Sequence, residues 1–255
     1  MSNLFWVRSQ NFGDNLNVLL HKAITGKEPV FATPEQPETI IAVGSLAHTA
    51  RPNNILWGTG AMADDMPPEH CNKTTVVRAV RGPLTAWMFQ KQGVDISNAI
   101  FADPAILIPR FFPVFGNGNE NRKVLVVPHY ADCERAVTLP WGENCQVLHP
   151  MKDTEFLIKE IAGADSVITS SLHILVVAES YGVPAVWVEF SDNVRGKGFK
   201  FIDWYLSTIR TPPAAIQIRG SKIPWEQINE AVYSWTEPGI DLQELGDILL
   251  DVCPF

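Results

Sequence analysis

Two histidines and a group of cations are the residues of this sequence best suited to chemistry on an anion. His173 follows Ser170 and Ser171, which come directly after a short β-rich strand at residues 166–169. Hydroxyls at that position predict the start of a helix, so His173 falls in its first turn. Helix N-termini attract anions, because their backbone N–H groups are unpaired and the helix dipole is positive there. Ser171 and His173 therefore predict an anion-binding turn.

Three cations follow the next apolar strand, residues 185–188, and two glycines separate them: Arg195, Lys197 and Lys200. In open α/β sheets, ligands bind outside the carboxyl ends of the strands, so these cations and His173 are predicted to meet at one edge. His129 ends a further apolar strand that begins at residue 123. A solvated loop and a structural histidine are the alternative interpretation of the same residues.

The first part of the chain supplies candidates at its own predicted strand ends. Gly13, Asp14 and Asn15 suit a tight strand-to-helix loop, with Asp14 as the cap of a helix over residues 16–24. Gly44 and Gly60 stand where two strands stop, and glycine there allows a ligand to approach the backbone. Arg81 ends another strand just before a helix that begins at Pro83, which predicts a clamp for a carboxylate or phosphate.

Strands and helices alternate along the whole chain, which predicts an α/β fold. Residues 116–121 (GNGNEN) are the most linker-like stretch of the sequence. We therefore expect a first domain at residues 1–115 and a second at residues 116–255. Two Rossmann-like domains facing across a cleft would resemble a compact GT-B arrangement. The chain has no GxGxxG segment, so no dinucleotide site is predicted.

Composition narrows the class of protein. The net charge of −8 argues against binding to nucleic acid. The four cysteines have no zinc-type spacing, so we predict no metal site and reduced thiols in a cytoplasmic protein. The N-terminus has no leader pattern, and no apolar run is long enough to cross a membrane. Peripheral association with a membrane, through a lipid-linked substrate, stays open.

The order of the motifs resembles the polysaccharide pyruvyltransferase family, in particular its exopolysaccharide branch. The segments that carry the resemblance are NFGDNLN, VGS, GTG, VRGPLT, FADPAIL, VVPHY, SSLHILVVAESYGVPAVWV and GKGFKFIDWY. Each is weak alone, but their order is more specific. The resemblance implies a GT-B-like fold and a transferase that moves the enolpyruvyl unit of phosphoenolpyruvate onto two hydroxyls of one sugar. The products would be a cyclic pyruvate ketal and phosphate, with no cofactor besides the donor. On this resemblance the first domain, residues 1–115, would be the acceptor side and the second, residues 116–255, the phosphoenolpyruvate side.

The resemblance also implies roles for particular residues. The family's arginine and histidine fall on Arg81 and His173, and its lysine falls on Asn193, so Arg195, Lys197 or Lys200 would replace that lysine. Because phosphoenolpyruvate carries a carboxylate and a phosphate, we expect Arg81 to hold the carboxylate. His173 is expected to act as general acid or phosphate contact. Asp14 and His129 are candidates for contact with the acceptor hydroxyls.

Two rival functions fit the same arrangement. One is a sugar-nucleotide glycosyltransferase, which would bind a nucleotide at the second domain, because a fold does not fix a function. The other is a catalytically inactive protein that binds an anion or a glycan.

Overall fold

The computed structural model describes residues 2–114 and 123–255, so the predicted linker at residues 116–121 lies outside the described part. The fold is α/β, as predicted. The described strands form two sheets, and every strand pair is parallel. Below, residues 2–114 are the first half and residues 123–255 the second half.

The first sheet has the strand order β2-β1-β3-β4-β5-β6. Its strands are β1 (Asn3–Phe5), β2 (Val30–Phe31), β3 (Ile40–Ile41), β4 (Ile55–Trp57), β5 (Val76–Val80) and β6 (Ile100–Phe101). The helices of this half are α1 (Phe12–Thr25), α2 (Pro83–Lys91) and α3 (Ile108–Phe111), with 3-10 helices at Ala47–Thr49 and Pro104–Leu107.

The second sheet has the strand order β11-β10-β9-β7-β8. Its strands are β7 (Val124–Val127), β8 (Cys145–Val147), β9 (Ser166–Thr169), β10 (Ala185–Glu189) and β11 (Ile216–Gln217). The helices are α4 (Cys133–Val137), α5 (Thr154–Ala162), α6 (Leu172–Ser180), α7 (Phe199–Ser207), α8 (Trp225–Tyr233) and α9 (Leu242–Asp251), with a 3-10 helix at Tyr130–Asp132.

Helix α6 is central to the second half. Eight of its nine residues are buried, and only Ser180 is partly exposed. A helix that is apolar nearly all round must be covered on every side, and α6 is covered by the second sheet and by elements of the first half. Its C-terminal Glu179 forms a bidentate ion pair with Arg210 and accepts a hydrogen bond from Trp204 Nε1. The helix is therefore a fixed platform for His173 in its first turn.

The structure corrects two predicted boundaries near candidate residues. Helix α1 begins at Phe12, not at residue 16, so Gly13, Asp14 and Asn15 lie inside its first turn and not in a loop. Asp14 is therefore not the cap: Asn11 holds that position. Helix α7 begins at Phe199, so Lys200 is also in a helical first turn.

One hydrophobic core runs through both halves. It joins side chains of the first sheet, such as Leu4 and Trp57, to α6 and to Leu249 of α9. Trp57 Nε1 donates a hydrogen bond of 3.0 Å to the Leu249 carbonyl, and the Phe255 ring packs against the Trp57 ring. The last helix thus packs on the first sheet, although it follows the second sheet in the sequence. No helix among the described residues is long and apolar enough to cross a membrane.

Candidate active site

The turn between β9 and α6 builds the base of the site. Ser171 is the N-cap residue of α6, but its hydroxyl makes no capping hydrogen bond. Ser170 is buried instead in a network: its Oγ donates to Asp132 Oδ2 at 2.7 Å and accepts from the His129 backbone N–H at 2.9 Å. The network joins the ends of β7 and β9. The unpaired N–H groups and the Ser171 hydroxyl at the start of α6 leave hydrogen-bonding capacity for an anion.

His173 is 9% exposed and faces a carboxylate of the first half. Its Nε2 lies 3.5 Å from Asp103 Oδ2, and neither atom has a hydrogen-bond partner. The other carboxylate oxygen, Asp103 Oδ1, accepts a hydrogen bond from Ala105 N at 3.0 Å and caps the 3-10 helix there. The imidazole and the carboxylate form a pair whose two members come from different halves.

Gly13 is the neighbour of His173 on the opposite side of the ring. A Cβ atom at Gly13 would lie 2.2 Å from His173 Nδ1, far inside van der Waals contact. Only glycine therefore fits at this position of α1 while the imidazole keeps its place. The sequence predicted a tight strand-to-helix loop at Gly13, whereas the structure places it in the first turn of α1, against a catalytic candidate.

Lys200 is a buried cation without a counter-ion. It is 9% exposed, and its ammonium group makes no hydrogen bond or ion pair with any described residue. Burial, and next the positive charge of Arg81, lower its pKa from 10.5 to about 8, while Asp132 opposes the shift. A buried ammonium is costly unless it is paired, so this position favours an anionic ligand.

His129 lies beside Lys200 at the end of β7. Burial, and next the charges of Lys200 and His173, lower its pKa from 6.5 to about 3, so the ring is neutral at pH 7. Its Nδ1 accepts a hydrogen bond from Ala131 N at 3.3 Å, which places the ring proton on Nε2. His129 is therefore a neutral hydrogen-bond donor at the edge of the cation cluster.

Arg81 is buried completely behind this cluster. Its guanidinium lies 3.3 Å from Asp203 Oδ2, and it donates to Ser45 Oγ at 3.0 Å and to the Ala61 carbonyl at 2.5 Å. Asp203 also caps α2, because its Oδ1 accepts from Leu84 N and Thr85 N. The pair therefore ties β5 and α2 of the first half to α7 of the second. A ligand carboxylate could reach Arg81 only if this pair opened.

The two predicted strand-end glycines support this arrangement. A Cβ atom at Gly60 would lie 2.1 Å from Arg81 Cζ, so glycine makes room for the guanidinium. Gly44 has a positive φ of 130°, and its carbonyl accepts hydrogen bonds from Gly60 N and Thr59 Oγ1. Both glycines therefore build the pocket of Arg81.

Neither Asp14 nor Asn15 forms a hydrogen bond or ion pair with a described residue of the cation cluster. The carboxylate of Asp14 accepts hydrogen bonds from Ser9 Oγ at 2.6 Å and from Asn11 Nδ2 at 3.3 Å. Asn15 lines a groove between α1 and α5 that also contains Asp153. Gly13 is thus the member of this predicted trio that contacts His173.

Arg195 and Lys197 lie on the exposed loop between β10 and α7, and no described residue pairs with either side chain. Lys197 has a positive φ of 42°. The charge of Arg195 acts on His48 of the first half and, after burial, is the next cause that lowers the pKa of that histidine. The two cations therefore stand at the rim, where they can meet a larger substrate.

The structure thus brings together Ser171, His173, His129 and Lys200, with Arg81 behind them. Sequence reasoning missed the three buried carboxylates that position these groups, which are Asp103, Asp132 and Asp203. It also missed Asn17, whose side chain both donates to and accepts from the Val43 backbone and so fixes α1 to the end of β3. Asp103 was visible only as part of the FADPAIL segment.

Two other features lie outside this cluster. A cavity of about 480 Å³ includes the first residues of β10 and side chains of α7 and α8, and none of the predicted site residues lines it. Among the described residues, no three His, Cys, Asp or Glu side chains stand close enough to hold a metal ion.

Comparison with known proteins identifies relatives of the chain. It is 27% identical over 212 residues to uncharacterized protein L143 of Acanthamoeba polyphaga mimivirus, which covers 80% of this chain and 72% of that protein. It is 28% identical over 216 residues to the succinoglycan biosynthesis protein ExoV of Rhizobium meliloti (strain 1021), which covers 80% of this chain and 64% of that protein.

One solved structure, the K341M mutant of the O-GlcNAc transferase of Thermobaculum terrenum, is 15% identical to the chain. The match covers 78% of this chain and 43% of that one, with a TM-score of 0.32, too low to define a common fold. The model of the family described as polysaccharide pyruvyl transferase matches residues 40–192, which include Arg81, Asp103, His129 and His173. The chain belongs to the polysaccharide pyruvyl transferase family.

Proposed function

We propose that this protein transfers the enolpyruvyl unit of phosphoenolpyruvate to two hydroxyls of one sugar in a polysaccharide or its precursor. The family and the relationship to a succinoglycan biosynthesis protein support pyruvyl transfer in exopolysaccharide synthesis. The observation that supports the choice of donor is Lys200, a buried cation that forms no ion pair with a described residue and lies beside two histidines and a helix N-terminus. A small dianion or trianion is the ligand that such a cluster would stabilise.

The reaction requires two proton transfers to balance. The methylene carbon C3 of the donor takes one proton and becomes a methyl group, and C2 then carries oxocarbenium character. Two sugar oxygens bond to C2 in turn, and the bond between C2 and the phosphate oxygen breaks. Each hydroxyl loses one proton: C3 gains the equivalent of one, and the departing phosphate gains the other. An acid–base group and a phosphate-binding group are therefore needed.

We assign these roles to the residues that the structure places together. His173 is the acid–base group, and the start of α6 with Ser171 binds the phosphate. Lys200 binds the carboxylate or the phosphate of the donor, because Arg81, which the sequence predicted for this role, is already paired with Asp203. Arg81, which is fully buried, then adds its positive charge to the electrostatic field at Lys200 without contacting the donor. The Nε2–H group of His129 donates a hydrogen bond to a hydroxyl oxygen of the sugar. Asp14 is the less favoured candidate for that contact.

The proposal extends to the binding of the acceptor. The two halves would act as Rossmann-like domains across a GT-B-like cleft, with the boundary near residue 115. Arg195 and Lys197 at the rim would meet the glycan, whose carrier lipid would bring the protein to a membrane surface without a spanning helix. We place the reaction in the cytoplasm, where the four free thiols would stay reduced.

A ligand-binding experiment tests the donor. Thermal unfolding is recorded with phosphoenolpyruvate, with inorganic phosphate and with a panel of sugar nucleotides, for the wild type, Lys200→Met and the control Lys222→Met. Lys222 is an exposed lysine of the same half. We expect phosphoenolpyruvate to stabilise the wild type and Lys222→Met but not Lys200→Met. At about a hundred times its Kd, a ligand adds roughly 2.7 kcal/mol to the free energy of unfolding.

The pH dependence sharpens this test. An anion beside Lys200 favours its protonated form, so binding of phosphoenolpyruvate should weaken as the pH rises through about 8. Stabilisation by a sugar nucleotide in place of phosphoenolpyruvate would contradict the proposal and favour glycosyl transfer. Binding of phosphoenolpyruvate without phosphate release, across a panel of glycan acceptors, would favour an inactive binding protein.

A further inference from the structure

The pair formed by His173 and Asp103 contains two buried polar atoms that have no partner except each other. Asp103 is fully buried, and its Oδ2 and His173 Nε2 are both sealed from solvent without a hydrogen bond. Such unpaired atoms are rare in protein interiors, because each costs free energy comparable to a lost hydrogen bond. Their separation of 3.5 Å is only slightly longer than an N–H···O hydrogen bond. Catalytic hydrogen bonds are often long in ligand-free structures and shorten in the complex.

The two ring nitrogens of His173 stand in different surroundings. Nε2 is occluded and faces the carboxylate, so substrate cannot reach it. Nδ1 makes no hydrogen bond with a described residue and is not among the occluded atoms. It lies against the Gly13 backbone, in the place that a Cβ atom of any other residue would fill. Any exchange of protons with a substrate must therefore take place at Nδ1.

We propose that Asp103 is a positioning residue that holds the proton on Nε2 of His173 and so leaves Nδ1 as the proton-transferring atom. This inference rests on the proposed function for its chemistry. In the first step the imidazolium, paired with Asp103, gives its Nδ1 proton to C3 of the donor. The freed lone pair on Nδ1 then takes the proton of the attacking hydroxyl as its oxygen bonds to C2.

The second step repeats this exchange. The imidazolium gives the Nδ1 proton to the phosphate as the bond from C2 to the phosphate oxygen breaks, and Nδ1 takes the proton of the second hydroxyl. Asp103 stays ionised throughout and stabilises the imidazolium of each step. Because Asp103 comes from the first half and His173 from the second, the acid–base group is complete only where the two halves meet.

The substitution Asp103→Asn separates this role from the capping role of the same side chain. The amide oxygen can still accept the hydrogen bond from Ala105 N, which leaves the amide N–H₂ facing Nε2. A donor at that place requires Nε2 to be the acceptor, so the proton of the neutral ring moves to Nδ1. Asp103→Asn therefore removes the lone pair from His173 Nδ1 while the side chain at position 103 keeps its shape.

The primary measurement is ¹⁵N NMR of the histidine side chains at alkaline pH, where the rings are neutral. Protonated and unprotonated imidazole nitrogens have widely separated shifts, and the His173→Gln spectrum assigns the His173 signals. We expect the Nε2–H tautomer in the wild type and the Nδ1–H tautomer in Asp103→Asn. The control Asp153→Asn, at an exposed cap of α5, should leave the His173 signals unchanged. An Nδ1–H tautomer in the wild type would overturn the proposal.

Kinetics give the second readout. We expect kcat for phosphate release in Asp103→Asn to fall at least about a hundredfold, with the KM for phosphoenolpyruvate changed less than about threefold. Gly13→Ala should also lose activity, because its Cβ would meet Nδ1, whereas Gly142→Ala, in open space, should not. Full activity in either Asp103→Asn or Gly13→Ala would overturn the assignment of Nδ1.

The two proposals fail in different ways. If the tautomer changes in Asp103→Asn but the wild type releases no phosphate from phosphoenolpyruvate, the positioning of His173 stands and the proposed function fails. If the wild type performs the transfer but the tautomer is the same in both proteins, the positioning role alone is wrong.

Discussion

The molecule contains two buried pairs of a basic side chain and a carboxylate that join its halves, and they differ in how far the carboxylate is satisfied by hydrogen bonds. In the pair of Arg81 and Asp203, the carboxylate accepts hydrogen bonds from the start of α2 as well as facing the guanidinium. In the pair of His173 and Asp103, the two facing atoms have no hydrogen bond. The first arrangement is that of a structural connection. The second leaves a titratable group free to exchange a proton, which is what a site of acid–base chemistry requires.

The largest effect should come from breaking the satisfied pair. Asp203→Asn leaves Arg81 buried without a counter-charge, so we expect the free energy of unfolding to fall by about 3 to 5 kcal/mol. Urea denaturation at pH 7 measures it. Asp192→Asn, which breaks an exposed ion pair with Arg219, is the control and should change nothing measurable. An equally small effect at Asp203 would mean that the first pair is not structural.

A smaller effect is expected from His129 in acid. Its pKa is about 3 in the fold and 6.5 when unfolded, so between those values the unfolded chain binds a proton that the folded chain does not. Stability is therefore lost as the pH falls from 6.5 towards 3. The variant His129→Asn keeps an acceptor for Ala131 N. Between pH 7 and pH 4 we expect its free energy of unfolding to fall by about 1 to 3 kcal/mol less than that of the wild type. Parallel losses in both proteins would contradict this.

Substitution of Lys200 should raise the free energy of unfolding, whereas substitution of Asp203 should lower it. Its pKa of about 8 lies below the unfolded value of 10.5, so the charged form is a cost in the fold at pH 7 that is relieved as the pH rises through this window. We expect Lys200→Met to raise the free energy of unfolding at pH 7 by about 1 to 3 kcal/mol, and the difference to shrink by pH 10. A destabilised variant would show that Lys200 is paired and not waiting for an anion.

The smallest effect on stability should come from the unsatisfied pair. Asp103→Asn keeps the cap on Ala105 N and breaks no formed hydrogen bond at Oδ2, so the free energy of unfolding should change by no more than about 1 kcal/mol. The same substitution at Asp103 and Asp203 thus compares two fully buried carboxylates directly. Equal losses at the two positions would remove the distinction between them.

The sequence predicted the alternation of strands and helices and the turn that carries His173 well, because strand and helix periodicities are local signals. It placed the start of α1 four residues too late, because polar residues at Asn11 and Asp14 both resemble caps and only the backbone decides between them. The sequence did not distinguish which of Arg195, Lys197 and Lys200 contacts the donor. Whether Lys200 is buried and Lys197 exposed depends on the helical start at Phe199.

The carboxylate partners were invisible for a different reason. Asp103 lies 70 positions from His173 in the sequence, and Asp203 lies 122 from Arg81, so no local pattern connects them. Two glycines mark the site more directly. A Cβ atom at Gly13 would clash with His173, and a Cβ atom at Gly60 would clash with Arg81, so no other residue fits at either position. Both glycines make room for a side chain of the protein, whereas the sequence predicted the approach of a ligand at Gly60 and a loop at Gly13.

The return of α9 to the first sheet has a consequence for how the chain is made. Trp57 and the core around it are completed by Leu249 and Phe255, which are translated almost two hundred residues later. A ribosome-bound chain that has finished the first sheet still exposes this apolar face. The first half therefore cannot reach its final stability until α9 has been made and has packed on the first sheet.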